Sequence, residues 1–294
     1  MVDKLKPAPL AYENQPFINS PDGRILRILA EYQEPLSRFR REQIQDTVVF
    51  FGSARFQRGD AAKKNLSAVE KNDANAAVAQ YEDNLKRARA AVDMARYYED
   101  ARRLAFLLTE WSIQIPARRR RFVVTTGGGP GIMEAANRGA QEAGGKSIGL
   151  NINLPLEQNP NSYITPSLNF EFHYFFMRKF WFAYLSKALV VFPGGFGTLD
   201  EMMEILTLAQ THKLAKKIVI VLYGTSYWKE IINFDALIRH GTIAPEDMDL
   251  FEFADDPEAA LEILKEGLTR LYLTPEQPLP EQERETPAIA KTAI

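Results

Sequence analysis

The stretch Pro193-Gly194-Gly195-Phe196-Gly197-Thr198-Leu199-Asp200-Glu201 decides the fold predicted for this chain. It follows an apolar run at 188–192 and precedes a segment of helical character that extends from Thr198 to about His212. An apolar strand, a glycine turn and a helix in succession are typical of a parallel α/β sheet. Glycines let the backbone approach a ligand closely, and the free N–H groups at the start of a helix bind phosphate. The stretch therefore predicts a phosphate-binding turn.

A second glycine turn lies upstream, in Thr125-Thr126-Gly127-Gly128-Gly129-Pro130-Gly131-Ile132-Met133-Glu134. It also follows an apolar run, at 122–125, and precedes a helical segment. Either turn alone is equally well explained as a tight connection, but ligands of doubly wound sheets bind beyond the carboxyl ends of the strands, where both turns are expected. Neither turn has the lysine of a P-loop or the spacing of a dinucleotide fingerprint, so ATP hydrolysis and NAD chemistry are not supported.

The remaining pattern predicts an α/β fold with a doubly wound, mostly parallel, Rossmann-like sheet. Further strands are expected at 47–51, 147–152, 217–223 and 250–253, with a short extended piece at 168–174. Helices are expected at about 23–43, 175–186, 226–239 and 257–271. We assign 1–45 to an N-terminal arm and helix, 46–273 to the Rossmann-like domain and 274–294 to a disordered tail, because proline and charge dominate that tail.

The helical stretch from about 60 to 115 is too long for one crossover, which needs only about 10–15 residues. We therefore predict an inserted helical segment at about 58–93, either as a solvated decoration or as a surface for subunit contact. Its apolar residues recur in alternating steps of three and four, as in a pair of packed helices.

Composition limits the function classes. The 294 residues carry a net charge of −2, so nothing in the overall charge favours nucleic acid or an anionic membrane as a partner. Cysteine is absent and the three histidines lack ligand spacing, so we expect neither disulfides nor a metal site. The chain shows no secretory signal and no apolar run long enough to span a membrane, which predicts a cytoplasmic location.

Two groups of polar residues have competing interpretations. Arg178 and Lys179 interrupt the apolar segment 174–185, and each either reaches solvent along its aliphatic stem or meets a carboxylate or an anionic ligand. Thr198 and Glu201 match a capping box, in which Glu201 is the third helical residue and has only a structural role. A carboxylate beside a bound phosphate would repel it unless the carboxylate faces another part of the ligand.

Together these residues resemble the LOG ("Lonely guy") family of cytokinin riboside 5'-monophosphate phosphoribohydrolases, proteins often labelled lysine decarboxylases. The stretch 193–201 fits the family signature Pro-Gly-Gly-x-Gly-Thr-x-x-Glu, and Arg178 precedes Pro193 by the family's fifteen residues. The triple-glycine turn matches as well. A Met-His pair of the plant proteins is here Phe175-Phe176, which is more similar to the bacterial type II branch.

The resemblance implies a role for each candidate site residue. Arg178 and Glu201 are expected to form the catalytic pair. Gly195, Gly197 and Thr198 are expected to hold a 5'-phosphate, and Gly194 and Lys179 are further expected substrate-binding residues. Gly128, Gly129 and Glu134 are expected to line the ribose or base side, and Ser53 is expected near the same pocket.

The resemblance further implies hydrolysis of the N-glycosidic bond of AMP or a cytokinin-type nucleotide, without a cofactor, in a homodimer or higher oligomer. Glu201 is expected to stabilise positive charge on the ribose or to activate water. Arg178 is expected to orient Glu201 or to assist departure of the base. Two other interpretations stay open: a non-catalytic nucleotide-binding or sensor protein of the same fold, and, with less support, a decarboxylase that uses pyridoxal phosphate.

Overall fold

The computed structural model describes residues 7–71, 78–153, 159–214 and 216–274. The strands are β1 (Thr47–Phe51), β2 (Val123–Thr126), β3 (Ser147–Ile152), β4 (Asn169–Phe172), β5 (Ser186–Val191), β6 (Val219–Tyr223) and β7 (Glu252–Ala254). The helices are α1 (Gln15–Ile18), α2 (Arg24–Arg41), α3 (Gly59–Lys71), α4 (Val78–Ile113), α5 (Ile132–Glu142), α6 (Phe175–Tyr184), α7 (Phe196–Gln210), α8 (Thr225–Ile231), α9 (Phe234–Arg239) and α10 (Pro257–Leu268). Short 3-10 helices span Ala11–Glu13, Pro166–Leu168 and Pro245–Leu250, and a π-helical turn spans Thr269–Leu273.

The strands form one sheet in the order β4-β3-β2-β1-β5-β6-β7, and each described strand pair is parallel. From β1 the chain builds outward to β4, then crosses back and builds the other half from β5 to β7. Val49 of the central strand pairs with Thr125 on one side and Leu189 on the other. The predicted doubly wound α/β fold is confirmed, and its topological switch point lies between β1 and β5.

Helices cover both faces of the sheet and enclose a separate core on each. Phe51 faces the core formed with α2, α6 and α7, which contains Phe39 and Trp181. Phe50 faces the core formed with α4, α5 and α10, which contains Leu104. Burial on both faces explains why the central strands read as continuous apolar runs rather than alternating ones.

Two helices occupy the region predicted as an insertion. The 36 residues of α4 continue past the insertion and supply the crossover to β2. The part of α4 around Tyr97–Leu108 is buried against the sheet, whereas most described residues from 80 to 93 are exposed or half-buried. Ala88 and Ala95 of the predicted helix-pairing positions are buried. The prediction of a helical segment is confirmed, and its role stays open.

The structure adds detail to the sequence prediction at three places. α7 begins at Phe196 rather than Thr198. The helix predicted at 226–239 is divided into α8 and α9, because Asn233 caps α9 by accepting a hydrogen bond from the backbone N–H of Ala236. The described part of the arm contains α1 and is held to α2 by Arg27, whose guanidinium donates to the carbonyls of Ile18 and Ser20.

The predicted disordered tail falls, except for residue 274, outside the described residues. Among the helices of the described part, none combines the length and the apolar character that a membrane span requires.

Candidate active site

Three turns meet where the topology reverses. The backbone N–H of Ser53, just after β1, donates to the carbonyl of Pro193 at 3.0 Å. The carbonyl of Ser53 accepts from the N–H of Ile132, at the start of α5, at 3.1 Å. Ser53 therefore links the turn after β5 to the glycine turn after β2, and both turns lie at the carboxyl edge of the sheet, as predicted.

The turn after β5 exposes the start of a helix. Gly195 is the N-cap of α7, and no acidic residue lies in the first helical turn. Gly195 and Gly197 are exposed, and the side chain of Phe196 between them is 93% exposed. The positive end of the helix dipole and its unpaired N–H groups therefore face solvent, which is the arrangement that binds phosphate.

Gly194 and Thr198 pack against each other inside this turn. A Cβ on Gly194 would lie 2.2 Å from Oγ1 of Thr198, so glycine alone fits there. Thr198 is buried, and its hydroxyl is thereby held on the inner side of the turn.

The glycine turn after β2 is enclosed by asparagines. Gly128 has a φ of 77°, and a Cβ there would lie 2.2 Å from Oδ1 of Asn151. The side-chain amide of Asn161 donates to the carbonyls of Gly128 and Gly129 at 3.0 Å each, and to Oδ1 of Asn137 at 2.9 Å. These bonds fix the backbone of the turn in one conformation.

The asparagines are functional candidates that sequence reasoning missed. Asn137 is fully buried, accepts from the hydroxyl of Thr126 at 2.7 Å and donates to the carbonyl of Ile148 at 3.3 Å. Asn137 stands in an alanine-rich helix and Asn151 in an apolar strand, and an isolated amide in such a run is a signal of a buried hydrogen-bond network. The position of Asn161 in a connecting segment gives no comparable signal.

Arg178 and Glu201 form a buried ion pair between α6 and α7. Nη2 of Arg178 lies 3.1 Å from Oε1 of Glu201, and their side chains are 13% and 14% exposed. The guanidinium lies under the glycine turn, with Nη1 3.8 Å from the position that a Cβ on Gly127 would take. Arg178 thus faces inward to a carboxylate, and the alternative in which it reaches out to solvent is wrong.

The environment of the pair perturbs both groups. Burial raises the pKa of Glu201 to about 7, although the charge of Arg178 opposes that rise. Burial also lowers the pKa of Arg178. Nε of Arg178 is buried without a hydrogen-bond partner in the described structure. A carboxyl group that ionises near pH 7, beside an incompletely paired guanidinium, suits acid–base chemistry.

The capping-box interpretation of Thr198 and Glu201 is wrong. Glu201 is the sixth residue of α7, because the helix begins two residues earlier than predicted. The N-cap is Gly195, which offers no side chain for a cap bond. The carboxylate of Glu201 instead pairs with α6.

Lys179 and Glu134 have partners within the protein. Nζ of Lys179 lies 2.8 Å from Asp200 and 3.1 Å from Glu204, so it pairs with carboxylates of α7 other than that of Glu201. Glu134, in the first turn of α5, accepts a hydrogen bond of 2.7 Å from the hydroxyl of Tyr98 on α4. Their roles in substrate binding stay predictions. The described ranges contain no group of three or more His, Cys, Asp or Glu residues able to hold a metal ion.

Parts of the chain are similar to known proteins. Residues 133–264 match the family model described as "Possible lysine decarboxylase". A cytokinin riboside 5'-monophosphate phosphoribohydrolase of Arabidopsis thaliana (LOG5) is 27% identical over 150 residues, which are 50% of this chain and 64% of that protein. A probable cytokinin riboside 5'-monophosphate phosphoribohydrolase of Oryza sativa subsp. japonica (LOGL5) is 30% identical over 42% of this chain and 50% of that protein.

Solved structures with a similar chain course are more distant. A structural-genomics target is 18% identical over 75% of this chain and 99% of its own, with a TM-score of 0.45. The Moco carrier protein of Chlamydomonas reinhardtii is 20% identical over 77% of this chain and 99% of its own, with a TM-score of 0.42. At these scores neither likeness bears on function.

Sheet topology and site together define a doubly wound α/β protein with an exposed helix start beside a buried Arg–Glu pair. The family match includes Arg178, the turn after β5 and Glu201. Over part of its length the chain is similar to LOG proteins, which agrees with the resemblance seen in its signature. The chain spans 50% and 64% of the length of the two curated relatives named above.

Proposed function

We propose that this protein hydrolyses the N-glycosidic bond of a nucleoside 5'-monophosphate, AMP or a cytokinin-type nucleotide, to the free base and ribose 5-phosphate. The observation that carries the proposal is the buried Arg178–Glu201 pair between two glycine turns, with a carboxyl pKa of about 7. The curated relatives named as phosphoribohydrolases support the same reaction.

Phosphate binding provides the orientation. The exposed N–H groups at the start of α7 bind the 5'-phosphate, with Thr198 on the inner side of the turn. The phosphate is remote from the bond that breaks, so its binding energy serves to place the ribose against Glu201. The second glycine turn, at Gly128 and Gly129, then faces the ribose or the base.

Glu201 acts at the sugar. As the bond between C1' and the base nitrogen breaks, positive charge develops on the ribose, and the Glu201 carboxylate stabilises that charge or accepts a proton from the attacking water. The oxygen of water joins C1', and the departing base takes up a proton. At neutral pH a carboxyl group with a pKa of about 7 is available in both protonation states.

Arg178 supports this chemistry from α6. Its Nη2 holds one oxygen of Glu201 at 3.1 Å, while its Nε has no partner in the described structure. A guanidinium donates from several N–H groups in a fixed plane, so it can hold the carboxylate and also donate to the substrate. Arg178 therefore orients Glu201 or assists departure of the base.

The proposal extends to a homodimer or higher oligomer and to the bacterial type II branch, both from the resemblance, and to the cytoplasmic location predicted from the sequence. Phe175, Phe176 and Phe196 lie near the site with side chains 51%, 54% and 93% exposed, and a second copy would cover such rings. Light scattering of the purified protein measures the oligomeric state.

A nucleotide panel tests the reaction. The folded protein is incubated with AMP, GMP, CMP and isopentenyl-AMP, and the released base is separated by chromatography. Release from at least one nucleotide, with equimolar ribose 5-phosphate, supports the proposal and identifies the base. Lysine, with and without added pyridoxal phosphate, is included to test the activity in the family model's name.

Two negative results have different meanings. Binding of AMP by calorimetry without release of any base would replace the enzyme by a nucleotide-binding protein. Neither binding nor release from the whole panel would reject both functions.

A further inference from the structure

The carbonyl groups of both glycine turns are held by donors that lie outside the family signature. In the turn after β5, the carbonyl of Gly194 accepts from the hydroxyl of Tyr227 at 2.9 Å, and that of Pro193 accepts from the N–H of Ser53. In the turn after β2, the carbonyl of Gly128 accepts from both the side-chain and the backbone N–H of Asn161. Tyr227 therefore holds a carbonyl of the turn after β5, as Asn161 holds a carbonyl of the turn after β2.

The direction of a carbonyl fixes the direction of the next N–H. A trans peptide unit is planar, so the C=O of one residue and the N–H of the following residue point in opposite directions. When the hydroxyl of Tyr227 draws the carbonyl of Gly194 to one side, the N–H of Gly195 is directed to the other. A carbonyl oxygen facing a phosphate would repel it, whereas an N–H binds it.

The carbonyl of Gly195 accepts from the N–H of Leu199 at 3.0 Å, which fixes the peptide after Gly195 but not the peptide between Gly194 and Gly195. Apart from its chain neighbours, no heavy atom of the described residues lies within 4 Å of where a Cβ on Gly195 would be, and the residue is exposed. Glycine also permits more backbone conformations than other residues. The peptide between Gly194 and Gly195 therefore depends on the bond from Tyr227 for its orientation.

Tyr227 itself is held firmly. Its ring packs edge-on against that of Trp228, with centroids 5.1 Å apart. Nε1 of the buried Trp228 donates to the carbonyls of Val191 and Tyr223, at the ends of β5 and β6. The hydroxyl that orients the turn is thus fixed to the carboxyl edge of the sheet.

We propose that Tyr227 is a positioning residue for the phosphate half of the site, and that Asn161 is its counterpart for the nucleoside half. This inference rests on the proposed function, because that function assigns the phosphate to the turn after β5. Tyr227 acts on the 5'-phosphate through the peptide of Gly194 and Gly195. Asn161 acts on the ribose or base through the carbonyls of Gly128 and Gly129.

Removal of one hydroxyl tests the assignment. Tyr227→Phe keeps the ring and its packing, and its affinities for AMP, adenosine and inorganic phosphate are measured by calorimetry. We expect AMP and phosphate to bind about three- to tenfold more weakly, as the loss of one hydrogen bond implies, with adenosine unchanged. If AMP is hydrolysed, KM rises by the same factor and kcat is kept.

Two variants serve as matched controls. Tyr272→Phe removes another tyrosine hydroxyl that donates to a backbone carbonyl, that of Lys217, ahead of β6 at the opposite edge of the sheet. It should leave all three affinities unchanged. Asn161→Ser should weaken AMP and adenosine by equal factors and leave phosphate unchanged.

Several outcomes would overturn the inference. Equal weakening of AMP and adenosine by Tyr227→Phe would mean a general structural role, and no weakening of AMP would mean no role. A wild-type protein that binds neither AMP nor phosphate also rejects it. AMP binding without hydrolysis rejects the enzyme alone, since the comparison of affinities among variants is then still decisive.

Discussion

One buried charged pair lies at the carboxyl ends of the strands, here called the carboxyl edge of the sheet, and another lies at their amino ends, the amino edge. The two pairs differ in how completely they are hydrogen-bonded. At the carboxyl edge, Arg178 pairs with Glu201 at 3.1 Å. At the amino edge, Arg121 pairs with Asp46 at 2.7 Å. Burial raises the carboxyl pKa in both pairs, so burial alone does not distinguish them.

The amino-edge pair is fully bonded. One oxygen of Asp46 accepts from Nε of Arg121, and the other accepts from the backbone N–H of Phe122 at 2.6 Å. Even the neighbouring Lys216, whose pKa burial lowers to about 7, donates to the carbonyls of Ala183 and Tyr184. These bonds fasten the starts of the strands to each other and to α6, which is a structural role.

The carboxyl-edge pair is incompletely bonded. The hydrogen bond from Arg178 to Glu201 is longer than the one from Arg121 to Asp46. Nε of Arg178 lacks a partner among the described residues. Buried polar groups of native proteins are nearly always satisfied, so an exception indicates a group kept for another purpose. The two pairs therefore differ in the hydrogen bonds they lack rather than in their burial, and this difference supports the catalytic role proposed for the carboxyl-edge pair.

Neutralising the carboxylate at the carboxyl edge gives the largest expected effect. Glu201→Gln should lower the rate of base release from AMP about 10²- to 10⁴-fold, because the carboxylate that stabilises or activates is lost. Binding of AMP should persist. Glu204→Gln, on the same helix, is the matched control and should keep nearly full activity. Normal turnover by Glu201→Gln would mean that the pair at the carboxyl edge has no catalytic role, like the pair at the amino edge.

The same substitution at the amino edge should affect stability instead. Asp46→Asn leaves Arg121 buried without its counter-charge, and we expect a loss of about 3–5 kcal/mol in the free energy of unfolding, measured by urea denaturation. Turnover per folded molecule should be unchanged. Asp60→Asn, in the exposed pair with Arg58, should have little effect on either quantity. Loss of turnover in folded Asp46→Asn would remove the distinction between the edges.

The pH dependence should show the smallest effect. With a pKa of about 7, Glu201 is mostly protonated at pH 6 and mostly ionised at pH 8. If the carboxylate is the active form, kcat/KM for AMP should rise about tenfold over this interval, in wild type and in Asp46→Asn alike. A flat profile between pH 6 and 8 would mean that Glu201 does not control the rate.

Stability should change with pH in the opposite sense. The folded-state pKa of Glu201 is raised above its ordinary value of 4.5, so its contribution to stability is full below about pH 4.5 and is lost as the pH rises through about 7. Thermal unfolding of wild type and Glu201→Gln should therefore diverge between pH 5 and 8, with the variant gaining relative stability.

The class of fold could be predicted because its signals are local. Apolar runs followed by glycine turns define the strands, and the carboxyl ends of parallel strands meet at one edge. The Arg178–Glu201 pair came from a family spacing, which is also visible in sequence. The helix expected at about 23–43 is present as α2, but its Ile25, Leu26 and Leu29 are exposed, so apolar residues at helical spacing do not alone determine burial.

The remainder depends on contacts between distant parts of the chain. The partners of Asn161 lie 24 to 33 residues away, and Tyr227 lies 33 residues from Gly194, so no local pattern predicts these bonds. The start of α7 was misplaced because Gly-Phe-Gly is a weak helix-former. Its conformation is determined by packing such as that of Thr198 against Gly194.

The length of α4 has a consequence for how the molecule tolerates change. At about 1.5 Å per residue, its 36 residues extend for about 54 Å, far more than a crossover from β1 to β2 requires. The buried stretch around Tyr97–Leu108 anchors the helix against the sheet. The more exposed portion, at 80–93, extends away from this anchor, so the sheet does not constrain its length. Natural insertions, deletions or an engineered fusion at this portion would alter the outline of the molecule while the register of the strands and the two glycine turns stays intact.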